Sequence, residues 1–181
     1  MSNWLLAIVT SILVLGPNLA GHGFAADDGS VMIKKRIDGA LEVLSKRVGA
    51  KKIERVPNEP PMLVVDEEDI SAIHLLKECR SAQAVPFLLQ YIDVRFIVTQ
   101  PFGIRPLKSI ELAADDALKA IGLPAIDGIL GSVAKGSLEQ SKHKPARALC
   151  AEVLGEEGLR ARVGFLKLSG DERVKKFFLS K

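Results

Sequence analysis

Apolar residues recur along most of this chain at the spacing of a helix face. Ile33, Ile37, Leu41, Leu44 and Val48 form one stripe. It predicts an amphipathic helix that Ser30 could cap and that runs through Val48. The other side carries Lys34, Lys35, Arg36, Lys46 and Arg47, interrupted by Asp38 and Glu42, and reads as a solvated face. Ile73, Leu76 and Cys79, with Leu75 beside them, make a second stripe. Val85, Leu88, Leu89 and Ile92 make a third. Between these two lies Arg80-Ser81-Ala82-Gln83, which leaves room only for a tight antiparallel connection. Pro86 is tolerated in a first helical turn, so the second helix of the hairpin begins just before it.

The hairpin pattern is written again from Leu112: LAADDALKAIGLPAIDGILGSV. Ala84 aligns with Ala125, Leu89 with Leu130 and Ile92 with Val133, a shift of 41. In the first helices Leu76 aligns with Leu118 and Cys79 with Ile121, a shift of 42. The extra residue falls in the turn, where insertions are tolerated. A third, looser pair follows. Pro145 opens its first helix, with Ala148, Leu149, Val153 and Leu154 as the apolar face; Gly155 ends it, and Leu159, Val163 and Leu166 form its partner. Val174, Phe177 and Phe178 then close the open end.

A period near 40 residues carried by helix pairs is the mark of an α-solenoid. Ala117-Leu118-Lys119-Ala120-Ile121, Gly122-Leu123-Pro124-Ala125-Ile126 and the earlier Ala84-Val85-Pro86-Phe87-Leu88-Leu89 resemble HEAT repeats over roughly residues 67–169. The resemblance implies an all-α fold: a short α-solenoid of about three HEAT-like helical hairpins with an N-terminal capping helix and a short C-terminal helix.

The first 25 residues carry no Lys, Arg, Asp or Glu. Trp4 to Leu15 is apolar except for Thr10 and Ser11, and Gly16-Pro17-Asn18 stops it. Gly23 and Ala25 supply small residues for cleavage after Ala25, although the usual positive start is missing. The run is short for a membrane span of about 20 residues. The chain thus divides into a signal peptide, 1–25; a capping helix and Pro-rich linker, 26–65; and a HEAT-like repeat domain, 66–181. Within the linker Pro57 to Pro61 is a turn, and Met62 to Val65 a short extended piece. Arg95-Phe96-Ile97-Val98 has strand composition without an obvious partner. It belongs to a loop, Asp93 to Arg105, long enough to be a candidate binding loop.

Length and charge bound the chemistry. The chain has 181 residues, a formal charge of +3 and 5% aromatics. Asp66-Glu67-Glu68-Asp69 lacks the spacing and Gly of a calcium loop and reads as favourable charge at a helix N-terminus. Of three histidines, His22 falls in the signal segment, His74 beside an apolar stripe and His143 in a basic loop. None has metal-ligand spacing, and no catalytic serine, phosphate-loop or dinucleotide motif is present. Asp115 and Asp116, adjacent on a helix, cannot easily share a proton and read as exposed. Cys79 and Cys150 fall two repeats apart. Helices pack about 8–10 Å apart, too far for bridged Cα atoms, which lie within about 7 Å; both read as small core residues. No catalytic residue, cofactor or metal site is expected.

These readings describe an exported, non-enzymatic HEAT-repeat protein that binds a protein partner as scaffold or adaptor. Two alternatives stand beside it: a membrane-anchored form with an uncleaved N-terminal segment, and, by resemblance alone, a chromophore-handling protein of bilin-lyase type. Basic residues gather in the last third (Lys142, Lys144, Arg147, Arg160, Arg162, Lys175 and Lys176), but no aromatics are interleaved for nucleic acid. An acidic protein or other polyanion fits them better. In HEAT-type stacks second helices line the concave side. There Phe87 and Tyr91, spaced i, i+4, are the expected protein-binding pair, opposite small Gly128 and Ser132.

Overall fold

The computed structural model describes residues 26–98, 109–165 and 171–179. The expected signal peptide lies outside them, as do Leu166 and the end of the loop after Asp93. Helices dominate the described residues. The first, α1, spans Ala26–Glu42 and continues as wider π-type turns over Val43–Val48. It is already running upstream of Ser30. Ala40, Leu44 and Val48 are buried, whereas Ile33 at the outer end is 53% exposed.

Helix α2, Glu67–Glu78, starts where the acids predicted. Asp66 is its N-cap, and a reciprocal capping box joins Asp66 to Asp69. After a 3-10 turn at Ala82–Ala84 comes α3, Val85–Leu88, with Pro86 in its first turn and a further 3-10 turn at Leu89–Tyr91. Helices α4, Ala113–Ile121, and α5, Leu123–Lys135, meet at a 110° bend. Gly122 makes that bend at φ 76°, ψ −129°, a conformation costly for any residue with a Cβ. Helix α6, His143–Phe165, is broken at Gly155, φ 72° and ψ 163°. It therefore comprises two helices separated at the predicted glycine, with Leu149, Leu159 and Val163 buried. Helix α7, Glu172–Leu179, packs on α5 and α6 through buried Val174 and Phe177. Helix α2 packs along α4, and α3 against α5. No single described helix is long and apolar enough to cross a membrane.

The structure adds a small sheet to this helical fold. Strands β1, Met62–Val65, and β2, Arg95–Val98, pair in parallel, with Leu63 opposite Phe96. Strand β3, Ser109–Glu111, pairs antiparallel to β2. The partner that Arg95–Val98 lacked in the sequence is thus the extended piece of the linker. Parallel strands require a crossover connection, and α2 with α3 provides it. Leu63, Val65, Phe96 and Val98 face the core, while Val64 points out at 41% exposure. His74 Nε2 lies 3.0 Å from Glu111 Oε2, tying α2 to β3. One apolar core runs from Leu44 through Leu63, Leu76 and Leu118 to Phe177, so the expected linker and repeat regions share it.

The α3–α5 contact is close because α5 carries Gly128 there. A Cβ on Gly128 would sit 2.4 Å from Val85 Cγ1. Valine is stiff at χ1 and cannot swing aside. Helix propensity alone would favour Gly128→Ala by about 1 kcal/mol. Overpacking outweighs it, so the variant should be less stable by about 1–3 kcal/mol in denaturant unfolding. A variant as stable as the parent would refute this close packing.

Candidate functional site

The expected anchor pair does not stand open. Tyr91 is 5% exposed, its ring 5.9 Å from that of Phe96 and tilted by 58°. Burial raises its hydroxyl pKa. Phe87 is half-buried against the core. The apolar stripe Val85, Leu88, Leu89 and Ile92 is buried as the periodicity predicts. What differs is the pitch. The second helix is α-helical only over Val85–Leu88, then 3-10 over Leu89–Tyr91. A 3-10 turn advances about 120° per residue instead of about 100°, which carries Tyr91 from the flank into the core. Pro86 and Gln90 are exposed in place of the aromatic pair.

These two residues line a groove between α3 and the end of α5, of about 300 Å³. Leu89, Ser132, Ser137, Leu138, Glu139 and Lys142 complete its wall. The predicted small residue Ser132 is therefore at the groove, whereas Gly128 is spent on the contact with Val85. Lys142 donates its ammonium to the Gln90 carbonyl, clamping the segment after α5 onto the end of α3. Burial lowers the Lys142 pKa. Ser137 Oγ donates to the Ser132 carbonyl at 3.3 Å, firming the same segment. The groove mixes apolar Pro86, Leu89 and Leu138 with the Gln90 amide, two serine hydroxyls and the charged ends of Glu139 and Lys142. A concavity of this size and mixed polarity has room for a few side chains of a ligand.

A second cleft, of about 430 Å³, lies between α4 and the start of α6. Asp93, Asp115, Lys119, Lys144 and Glu152 line it. Asp115, expected to be exposed, is half-buried and accepts the Asp93 backbone N–H at 3.1 Å. Asp93 has φ 62°, so this hydrogen bond holds a strained turn at the entry to β2. Burial pushes the Asp115 carboxyl up to about 6, against the smaller opposing effect of that hydrogen bond. Lys119 and Glu152 pair at 2.8 Å across the cleft. Such a carboxyl could exchange a proton near neutrality, but no nucleophile stands beside it. Cys150 is fully buried, and burial raises its thiol to about 12, which suppresses the reactive thiolate.

The raised Asp115 pKa carries a pH prediction. The fold prefers the protonated carboxyl, so its contribution to stability is complete below about pH 4 and is lost as pH rises through about 6. Asp115→Asn removes the ionisation. Two pKa units correspond to about 2.7 kcal/mol, and partial exposure reduces that to roughly 1–2 kcal/mol. Denaturant unfolding should show little gain for the variant at pH 4 and this gain at pH 7.5. A gain independent of pH would refute the assignment.

Cys79, expected in the core, is exposed. It is the C-cap of α2, and the chain reverses at Arg80 with φ 47°, which turns the last position of the stripe outward. Both cysteines are free. Among the described residues no group of three His, Cys, Asp or Glu side chains could hold a metal ion. The acids at the start of α2 are instead engaged with Arg47 and Lys51. Much of the basic excess of the last third is paired: Arg147 with Glu156, Arg162 with Asp127 and Lys175 with Glu172. The groove residues Gln90 and Lys142 had no separate signal in the sequence, because a polar residue beside an apolar stripe looks the same whether it faces a groove or open water. No protein-family model, curated protein or solved structure matches this chain.

Proposed function

We propose that the chain is an exported, non-enzymatic HEAT-like helical-repeat protein that binds a protein partner through the groove between α3 and α5. The pairs α2/α3 and α4/α5, and the two halves of α6, recur in order along the sequence. First helices α2 and α4 pack side by side, and so do second helices α3 and α5, as stacked hairpins of a solenoid would. The groove between the second helices is the observation that carries the reading. It is concave, and at about 300 Å³ it has room for a few side chains of a partner. Export rests on the uncharged, largely apolar first 25 residues.

The test is capture of the partner from the native cell envelope with a C-terminally tagged chain, comparing the parent with Ser132→Trp. An indole at half-exposed Ser132 fills the groove without entering the core. The variant should keep the parental melting temperature and lose the captured protein. Undiminished capture would place binding elsewhere. Mass measurement of the same material checks export, which requires a chain beginning at Ala26. A chain retaining residues 1–25 would favour the membrane-anchored form.

A further inference from the structure

A cavity of about 370 Å³ adjoins the groove, and the two share Leu138 and Glu139 as lining. Arg173 and Lys176 bring two cations to it, with the His143 ring beside them, against the single carboxylate of Glu139. We propose that this basic pocket receives an acidic side chain or chain end of the partner peptide seated in the groove. The proposal rests on the protein-binding reading above and specifies the chemistry of the partner.

The fold fixes Arg173 without neutralising it. Arg173 donates Nη1 to the carbonyl of Ala134 at 3.0 Å, and its guanidinium lies against the backbone of Gly136. That contact orders the side chain, while its remaining N–H groups are available to a carboxylate. The His143 ring is held edge-on to Phe177, centroids 5.7 Å apart. Lys176 shares a face of α7 with Arg173, three residues apart, and has no carboxylate partner among the described residues. The nearby acids are occupied. Asp171 accepts the backbone N–H groups of Arg173 and Val174 at 2.7 and 3.4 Å, Glu172 pairs with Lys175 at 2.6 Å, and Glu139 lies 3.7 Å from Arg55. A guanidinium already ordered by the fold, with the Lys176 ammonium on the same helix face, favours an anion in the concavity, because little ordering cost remains for the arginine on binding. The adjoining groove of Pro86, Leu89 and Ser132 favours a peptide as the bearer of that anion. Phe177 is fully buried and offers no stacking surface for a nucleic-acid base.

The test is calorimetric titration of the purified full chain with end-blocked hexaglutamate at low salt, with hexalysine as control. Hexaglutamate should bind and hexalysine should not. Lys176→Glu should weaken binding roughly tenfold at an unchanged melting temperature, whereas Lys35→Glu on exposed α1 should leave it unaltered. No binding, or equal weakening by both variants, would overturn the pocket, the latter by showing diffuse attraction to a basic protein. Displacement of the peptide by equimolar inorganic phosphate would also overturn it, in favour of a phosphate site. Partner capture that depends on Ser132 but survives Lys176→Glu would overturn this inference and leave the groove standing. Tight hexaglutamate binding at Lys176, with capture indifferent to Ser132→Trp, would overturn the groove reading, and with it the seating of the acidic peptide there, while leaving an anion site at Lys176.

Discussion

Leu118→Ala should lower the stability of the fold by about 2–5 kcal/mol, the range for removing a buried leucine and leaving a cavity. Leu118 is fully buried on α4, which packs on α2, α3, α5 and α6. A void there lies among several elements, so no single neighbour can relax to fill it, and the upper half of the range is expected. The adjacent Lys119 makes the control. It is 36% exposed and pairs with Glu152 at 2.8 Å; a surface ion pair contributes about 0–1 kcal/mol. Lys119→Ala should therefore shift the urea midpoint slightly and Leu118→Ala greatly, with m unchanged in both. Equal midpoints would mean that α4 does not bury the face described.

That contrast was readable in the sequence because α4 and α5 are regular helices with strong apolar periodicity. Leu118, Ile121, Ile126, Ile129, Leu130 and Val133 are all buried where the spacing puts them. Glycine marked the break at Gly155, and Pro86 marked a helix start. Beside the outward turn of Cys79, three features escaped. The sheet escaped because β1 and β2 are short, parallel and separated by two helices, so neither strand carries local information about its partner. Tyr91 escaped because periodicity assumes one pitch, and a few residues of 3-10 helix suffice to turn a side chain from flank to core. Asp115 escaped because its burial depends on the turn at Asp93, which approaches only once β2 has paired. The groove inherits the second of these difficulties. Its small residue Ser132 lies on regular α5 and was placed, whereas its α3 wall lies on the irregular helix and was displaced by one residue, from Phe87 and Tyr91 to Pro86 and Gln90.

Lys51→Met should destabilise the fold by about 3 kcal/mol, and adding Asp69→Leu should recover at least about 1 kcal/mol of that loss. Asp69 is fully buried at the third position of α2. One carboxylate oxygen pairs with Lys51 Nζ, and the other lies 3.3 Å from Arg47 Nε. Arg47 also reaches Glu68, and Asp66 at 2.9 Å, so the end of α1 is clamped to the start of α2. Burial alone would raise the Asp66 pKa; the hydrogen bond from the Asp69 N–H and the charges of Lys51 and Arg47 outweigh it and hold the carboxyl below its usual range. Removing Lys51 leaves the Asp69 carboxylate buried with the longer Arg47 contact and the 3.4 Å hydrogen bond from the Asp66 N–H. Breaking one side of a buried pair costs about 3–5 kcal/mol, and the surviving arginine keeps the loss at the lower end. Replacing the stranded carboxylate with leucine removes the uncompensated charge, at the smaller cost of half a capping box, about 1 kcal/mol. The double variant should thus unfold at a higher urea concentration than Lys51→Met alone. If Lys51→Met stays within about 0.5 kcal/mol of the parent, as ordinary surface substitutions do, the clamp between α1 and α2 is not held by this pair. If the double variant is weaker than either single one, Asp69 acts through its cap and not through Lys51.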